Sequence, residues 1–218
     1  MKAILFDLDG TLIDSSEGIT KSAQYALVHY GIDEPDLKKI YFFIGPPLIN
    51  TFMDHYGFSR EQAVEAVAVY RERYHKVGIF ECSLYPGVKE CIEELKRQGY
   101  MIGMASSKPE ESCRRILEHF GILGLFDDVV GATMDGRIDT KEEVLNEVMR
   151  RWSEIPKEEM CLIGDTMFDI DGANMVGVPS IAVSFGFGNV DEMLKAGANT
   201  VIDDLRELPA KIKEIFQR

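Results

Sequence analysis

The sequence predicts an α/β protein, a doubly wound parallel sheet carrying an inserted all-helical module. Three observations predict it. Short apolar runs alternate with helical patterns from residue 84 onward, as in βα units that build a mostly parallel sheet with helices on both faces. Residues 15 to 80 break that alternation and read as helices only. The chain also opens with Ile4-Leu5-Phe6-Asp7-Leu8-Asp9-Gly10-Thr11, an apolar strand that ends in two carboxylates spaced i, i+2. A carboxylate just past a strand's C-terminal end lies where open α/β sheets hold their ligands, and the glycine after it permits close backbone approach.

In chain order, the expected strands are Ala3 to Phe6, Met101 to Ala105, Val129 to Ala132, Met160 to Ile163, Ser180 to Val183 and Thr200 to Ile202. The helices between them are well punctuated. Val88, Ile92 and Leu95 share one face before Gly99, and Ile116, Leu117 and Phe120 do the same before Gly121. Thr140-Lys141-Glu142-Glu143 has capping-box spacing ahead of a stripe of Val144, Leu145, Val148 and Met149. Within the insert, helices are expected from Ser16 to Tyr30, near Pro35 to Ile40, near Leu48 to His55, and from Ser59 onward, the last with Val64, Val67, Ala68, Arg71 and Tyr74 along one side. The expected division is therefore a core of residues 1–14 and 81–218 with a helical domain of residues 15–80.

Composition narrows the function. With 218 residues and 45% hydrophobic content the chain can bury one substantial core and a small second one. A net charge of −13 argues against nucleic acid, whose phosphates need a basic face, and disfavours anionic membrane surfaces. An acidic protein still handles a phosphorylated small molecule if a bound cation inverts the local field. The insert contributes seven Lys+Arg and eight Asp+Glu, so nearly all the net charge lies in the α/β part. It also holds 11 of the 21 aromatic residues, which read as filling for a small bundle core ahead of a ligand-pocket wall. Cys82, Cys91, Cys113 and Cys161 show no metal-ligand spacing and read as free thiols. Met1-Lys2-Ala3 runs into a strand without an apolar signal stretch, so a cytoplasmic protein is expected, and a monomer is the default.

Three strand ends carry polar groups: Asp7 after the first, Ser106 after Ala105, and Asp165 after Gly164. In a parallel sheet all C-terminal ends emerge on one edge, so these distant residues converge there. Asp7, Asp9 and Asp165 supply hard oxygen ligands that suit Mg²⁺, with Asp169 four positions after Asp165 placed to orient a metal-bound water. A carboxylate nucleophile can then approach an anionic phosphoryl group. Ser106, backbone amides at the helix start and Lys141 meet the need for donors and a fixed positive charge. Each piece has a plainer reading. A lone Asp-x-Asp is often a solvated turn, a Ser at a strand end an N-cap and Asp169 a charge serving its own helix, while Lys108 reads either as a phosphate contact or, more plainly, as a solvated residue at a helix start. Together, in this order, they favour a site.

These residues resemble the motifs of the haloacid-dehalogenase-like (HAD) phosphohydrolases. Asp7-Leu8-Asp9-Gly10-Thr11 matches the first motif, Ser106 the second, Lys141 the third, and Gly164-Asp165-Thr166-Met167-Phe168-Asp169 the fourth. The resemblance covers the whole chain and implies a Rossmann-like core with an inserted helical cap that closes over the substrate. It implies Asp7 as nucleophile and metal ligand, and Asp9 as general acid/base whose backbone carbonyl also binds metal. Ser106 and Lys141, with Ser107 beside them, would hold the phosphoryl group, and Asp165 would complete the Mg²⁺ site with Asp169. Dehalogenation is disfavoured, because dehalogenases of the superfamily lack the second aspartate of the first motif.

Within the helical-cap subgroup the chain is similar to phosphoglycolate-phosphatase-like proteins through Tyr85-Pro86-Gly87-Val88, Phe43-Ile44-Gly45-Pro46-Pro47-Leu48 and Gly186-Phe187-Gly188. It departs in two places. Its Lys141 follows Asp135-Gly136-Arg137-Ile138-Asp139-Thr140 instead of sitting in Lys-Pro-x-Pro, as in a branch with nucleotidase-like members, and Ser106-Ser107-Lys108 stands where many relatives have Thr-Asn-Lys. The expected function is a Mg²⁺-dependent phosphatase of a small phosphomonoester, phosphoglycolate-like or nucleotide-like, acting through a phospho-aspartyl intermediate. The alternatives are a β-phosphoglucomutase-type sugar phosphomutase, against which Thr11 weighs because such mutases commonly carry Val there, and a non-catalytic phosphometabolite-binding module.

Overall fold

The computed structural model describes residues 1–217. The chain divides into two compact units, one made of Met1–Ile13 with the chain from Leu84 onward, the other of Asp14–Ser83. The chain passes between them through two short strands, β2 (Ile13–Asp14) and β3 (Ser83–Leu84), which pair with each other.

The first unit is built on a six-stranded parallel sheet. Its strands are β1 (Ala3–Phe6), β4 (Met101–Pro109), β5 (Asp128–Ala132), β6 (Met160–Gly164), β7 (Ser180–Val183) and β8 (Thr200–Ile202). Their spatial order is β5-β4-β1-β6-β7-β8. β1 therefore lies between β4 and β6, with Phe6 level with Met104 on one side and Ile163 on the other. All four β1 side chains are fully buried, as a strand covered on both faces requires. The chain order reverses at β1, and ligands of such sheets bind outside the strand ends at that point.

The helices of this unit are α4 (Val88–Arg97), α5 (Glu110–His119), α6 (Lys141–Arg151), α7 (Met167–Val176), α8 (Val190–Ala196) and α9 (Leu208–Ile215). α4 buries Val88, Ile92 and Leu95, the stripe its spacing predicts. α6 begins with the capping box formed by Thr140 and Glu143, and its buried Val144, Leu145 and Val148 join a core with Leu5, Ala105, Trp152 and Leu162. The strand expected to end at Ala105 continues to Pro109. It does so through a register shift against β5, with Ser106 level with Gly131 but Pro109 level with Ala132. Ser107 and Lys108 thus form a β-bulge, which polar Ser-Ser-Lys disguises as a loop.

The second unit is helical. It contains α1 (Ser16–His29), a 3₁₀ segment over Leu37–Phe43, α2 (Leu48–Tyr56), α3 (Arg60–Tyr74) and a 3₁₀ turn over Gly78–Phe80. It runs a few residues past the expected 15–80 because Glu81 belongs to it. The Glu81 carboxylate pairs with Arg73 at 2.7 Å, and its carbonyl accepts the Gly18 amide at 3.0 Å. Its core is aromatic: Phe43 and Phe52 meet edge to face at 4.8 Å, and Phe52 stacks with Phe58 at 5.8 Å. The buried face of α3 is Ala63, Ala66, Val67, Tyr70 and Tyr74, one residue round from the expected stripe, and Val64 is exposed. Small Ala63 and Ala66 sit inward where α3 meets α1 and α2, a choice that residue hydrophobicity alone does not reveal. Among the described residues, no helix is long and apolar enough to cross a membrane.

Candidate active site

The end of β1 is a short polar turn closed on itself. The Asp7 amide donates to the Ile163 carbonyl at 2.9 Å, continuing the sheet by one residue, and the Leu8 carbonyl then accepts the amides of Thr11, Leu12 and Ile13. Gly10 adopts φ +80°, and a Cβ there would lie 2.0 Å from an Asp165 carboxylate oxygen. Only glycine lets the turn come this close.

Asp165 sits at the end of β6, fully buried, in a cradle of glycines. A Cβ on Gly186 would come within 2.3 Å of its side chain, and one on Gly188 within 2.0 Å of its carbonyl oxygen. One of its carboxylate oxygens accepts the Phe187 amide at 2.8 Å, and the other accepts the Thr11 hydroxyl at 3.3 Å. The Gly186-Phe187-Gly188 run that follows β7 thus gives Asp165 room and one amide donor, and Thr11 gives it the second donor.

Lys141 ties the end of β1 to β4 and α7. From the first turn of α6 its ammonium donates to Asp7 Oδ1 and to the Ala105 carbonyl, both at 2.8 Å, and pairs with Asp169 Oδ1 at 2.8 Å. Gly172 on α7 makes room for this side chain, because a Cβ there would meet the Lys141 Cβ at 2.7 Å. A cation at a helix start is unfavourable to the helix dipole, and here three oxygens offset it. Asp169 does serve its own helix, as the plainer reading expects, and it also reaches Lys141. Its Oδ2 caps its own helix by accepting the Thr166 amide at 3.0 Å, while Oδ1 is spent on Lys141.

Asp7, Asp165 and Asp169 present carboxylate oxygens all within 4.8 Å of one another. Burial pushes the Asp7 carboxyl up to about 6, opposed by the charge of Lys141 and reinforced by Asp169. Burial, and then the neighbouring Asp169 and Asp7, push Asp165 well above the ordinary carboxylate range. Asp169 and Asp7 hold the Lys141 ammonium above its usual range against the cost of its burial. The Lys141 ammonium thus pairs with Asp7 and Asp169 while Asp165 takes the Phe187 amide and the Thr11 hydroxyl, and the clustered hard oxygens of the three carboxylates fit Mg²⁺.

The remaining residues lie beside this cluster. Ser106 is buried one position after the Ala105 carbonyl that Lys141 grips, and its hydroxyl accepts the Lys108 amide at 3.3 Å. Ser107 lies half-buried in the bulge. The Asp9 carboxylate turns to Lys108, whose ammonium reaches its two oxygens at 2.7 and 3.0 Å. Lys108 is thus no solvated residue at a helix start. It sits in β4, its side chain 8% exposed, and the bulge that aims it was the signal missed in the sequence.

A buried carboxylate cluster, bridged by one lysine at the switch point of a parallel α/β sheet, defines a hydrolase-type site outside the strand ends. The chain belongs to the haloacid dehalogenase-like hydrolases, whose family model matches residues 4–183. A Pseudomonas aeruginosa protein named 5'-nucleotidase is 46% identical over 191 residues, 87% of this chain and 86% of that one. A Mycobacterium tuberculosis protein named tyrosine-protein kinase PtkA is 36% identical over 209 residues, 94% of this chain and 71% of that one. The crystal structure of a predicted phosphatase from Clostridium acetobutylicum superposes with a TM-score of 0.93 at 41% identity, covering 98% of each chain.

Proposed function

We propose that this chain is a Mg²⁺-dependent phosphatase that hydrolyses a small phosphomonoester through a phospho-aspartyl intermediate on Asp7. The observation that carries the reading is the Lys141 tie: one ammonium holds one Asp7 oxygen, pairs with Asp169 and donates to the Ala105 carbonyl beside Ser106. The other Asp7 oxygen is left for the phosphorus atom. Asp7 attacks phosphorus, the ester P–O bond breaks, and Asp9 gives the leaving alkoxide its proton. Asp9 then takes a proton from water as that water attacks the same phosphorus, releasing inorganic phosphate and regenerating Asp7. Ser106, Ser107 and Lys141 supply donors to the phosphoryl oxygens. Asp7, Asp165, Asp169 and the Asp9 carbonyl would hold Mg²⁺, whose charge offsets the repulsion between carboxylate and phosphate. The helical unit, Asp14–Ser83, is assigned the role of cap and substrate selector.

Nucleoside monophosphates head the substrate panel because of the 46% identical relative named 5'-nucleotidase, followed by phosphoglycolate, sugar phosphates and pyrophosphate. Release of inorganic phosphate with Mg²⁺ and its loss in EDTA is the expected result. Phosphoryl transfer to a sugar or tyrosyl hydroxyl in preference to water, or no turnover on any member, would overturn the reading.

A further inference from the structure

The β4 bulge is built with more care than a connection to α5 needs. Two residues, Ser107 and Lys108, stand against none on β5. Their backbone is seated on Gly131, where a Cβ would lie 2.5 Å from both the Lys108 carbonyl and the Glu110 amide. Any larger residue at 131 would push the bulge off the sheet. The Ser106 hydroxyl accepts the Lys108 amide at 3.3 Å, and the buried Cys113 thiol lies 3.6 Å from the Lys108 carbonyl. Bulges re-aim side chains, and this one turns Lys108 toward the tip of β1.

There both oxygens of Asp9 lie within 3.0 Å of the Lys108 ammonium, with the two side chains only 8% and 15% exposed. A contact this dry and this short fixes the carboxylate's orientation, as a pair at the open surface does not. Asp7 is held by Lys141 from α6, and Asp9 by Lys108 from β4. Each aspartate of the first motif therefore has its own lysine.

We infer that Lys108 is a positioning residue for Asp9: it fixes where the acid/base carboxylate stands relative to Asp7 and acts on the reaction through Asp9, without binding the phosphoryl group itself. The inference rests on the assignment of Asp9 as acid/base in the proposed phosphatase reaction. Lys108→Met keeps the stem and removes the charge, and it should lower kcat by about a hundredfold, the scale of a misplaced reacting group, with KM little changed. Lys108→Arg, which can still face a carboxylate with two donors, should recover part of that loss.

The decisive comparison is a double-mutant cycle on Mg²⁺-loaded enzyme with the best substrate of the panel. In an Asp9→Asn background, Lys108→Met should change kcat by less than about twofold, because its effect passes through the group already removed. A full additional loss there, a rise in KM with kcat unchanged, or wild-type kcat in Lys108→Met alone would each overturn the inference. Melting temperatures of the four proteins separate a folding defect from a catalytic one, and Lys108→Arg carries the test if Lys108→Met fails to fold. Absence of turnover in the wild type would instead remove the phosphatase reading itself, so the two failures are distinguishable.

Discussion

The two units of this molecule solve the same packing problem with different materials. The α/β unit fills its core with aliphatic side chains on strands and amphipathic helices, while the helical unit packs Phe43, Phe52, Tyr70 and Tyr74 with the alanines of α3. The first kind of core fixes strand ends by hydrogen-bonded register, so the end of β1 is set level with β4 and β6 residue by residue. The second fixes rings by shape and supplies no shared edge on which distant residues converge. That is why the carboxylate–lysine cluster lies in the α/β unit, and why function and stability should separate between the two.

The largest separation is expected from Asp7→Asn. Turnover should fall to background while the protein stays folded, because the amide is isosteric and can still accept from Lys141; wild-type kcat would break the account. Phe52→Ala in the helical unit should do the reverse in kind. Removing a fully buried ring costs roughly 3–5 kcal/mol of unfolding free energy, read by denaturant titration, whereas a loss under about 1 kcal/mol would show that the aromatic cluster collapses around the gap.

A smaller effect is tied to pH. With its folded value raised from 3.8 to about 6, the Asp7 carboxyl loses its proton earlier in the unfolded chain than in the folded one. In EDTA its contribution to stability is therefore greatest below pH 3.8 and is lost as pH rises toward 6. Mg²⁺ must displace that proton, so the rise in melting temperature on adding Mg²⁺ should be large at pH 7.5 and shrink as pH falls through about 6. A rise independent of pH would place the cation away from Asp7. The smallest effect is expected from Thr140→Ala, which removes the side-chain cap of α6 at a cost of about 1 kcal/mol. Because α6 also carries Lys141, kcat should fall along with stability. An unchanged kcat would mean that Ala105 and Asp169 suffice to hold the ammonium.

How much of this was legible in the sequence follows the same division. The parallel strands announced themselves as short apolar runs, and Asp7 and Asp165 were readable because a strand end is a position in space as well as in sequence, whereas Ser106 lies inside β4, at the last regular position before its register shift. Thr140 and Glu143 announced the start of α6, and with it Lys141. The bulge at Ser107 and Lys108 was not legible, because two polar residues after a strand look like a loop unless the partner strand's register is known. Nor did the sequence show that Lys108 faces Asp9, a contact across 99 residues. In the helical unit the inward face of α3 was misplaced by one residue, since Val64 is the more hydrophobic side chain yet Ala63 is the one that fits.

The central claim is that Asp7 attacks phosphorus, and acid quenching during turnover followed by peptide mass spectrometry tests it most directly. The account predicts that the N-terminal peptide containing Asp7 gains one acid-stable, base-labile phosphoryl group with Mg²⁺ and substrate, and gains none in Asp7→Asn. A phosphoryl group on another residue, or none in an enzyme that is releasing phosphate, would contradict it.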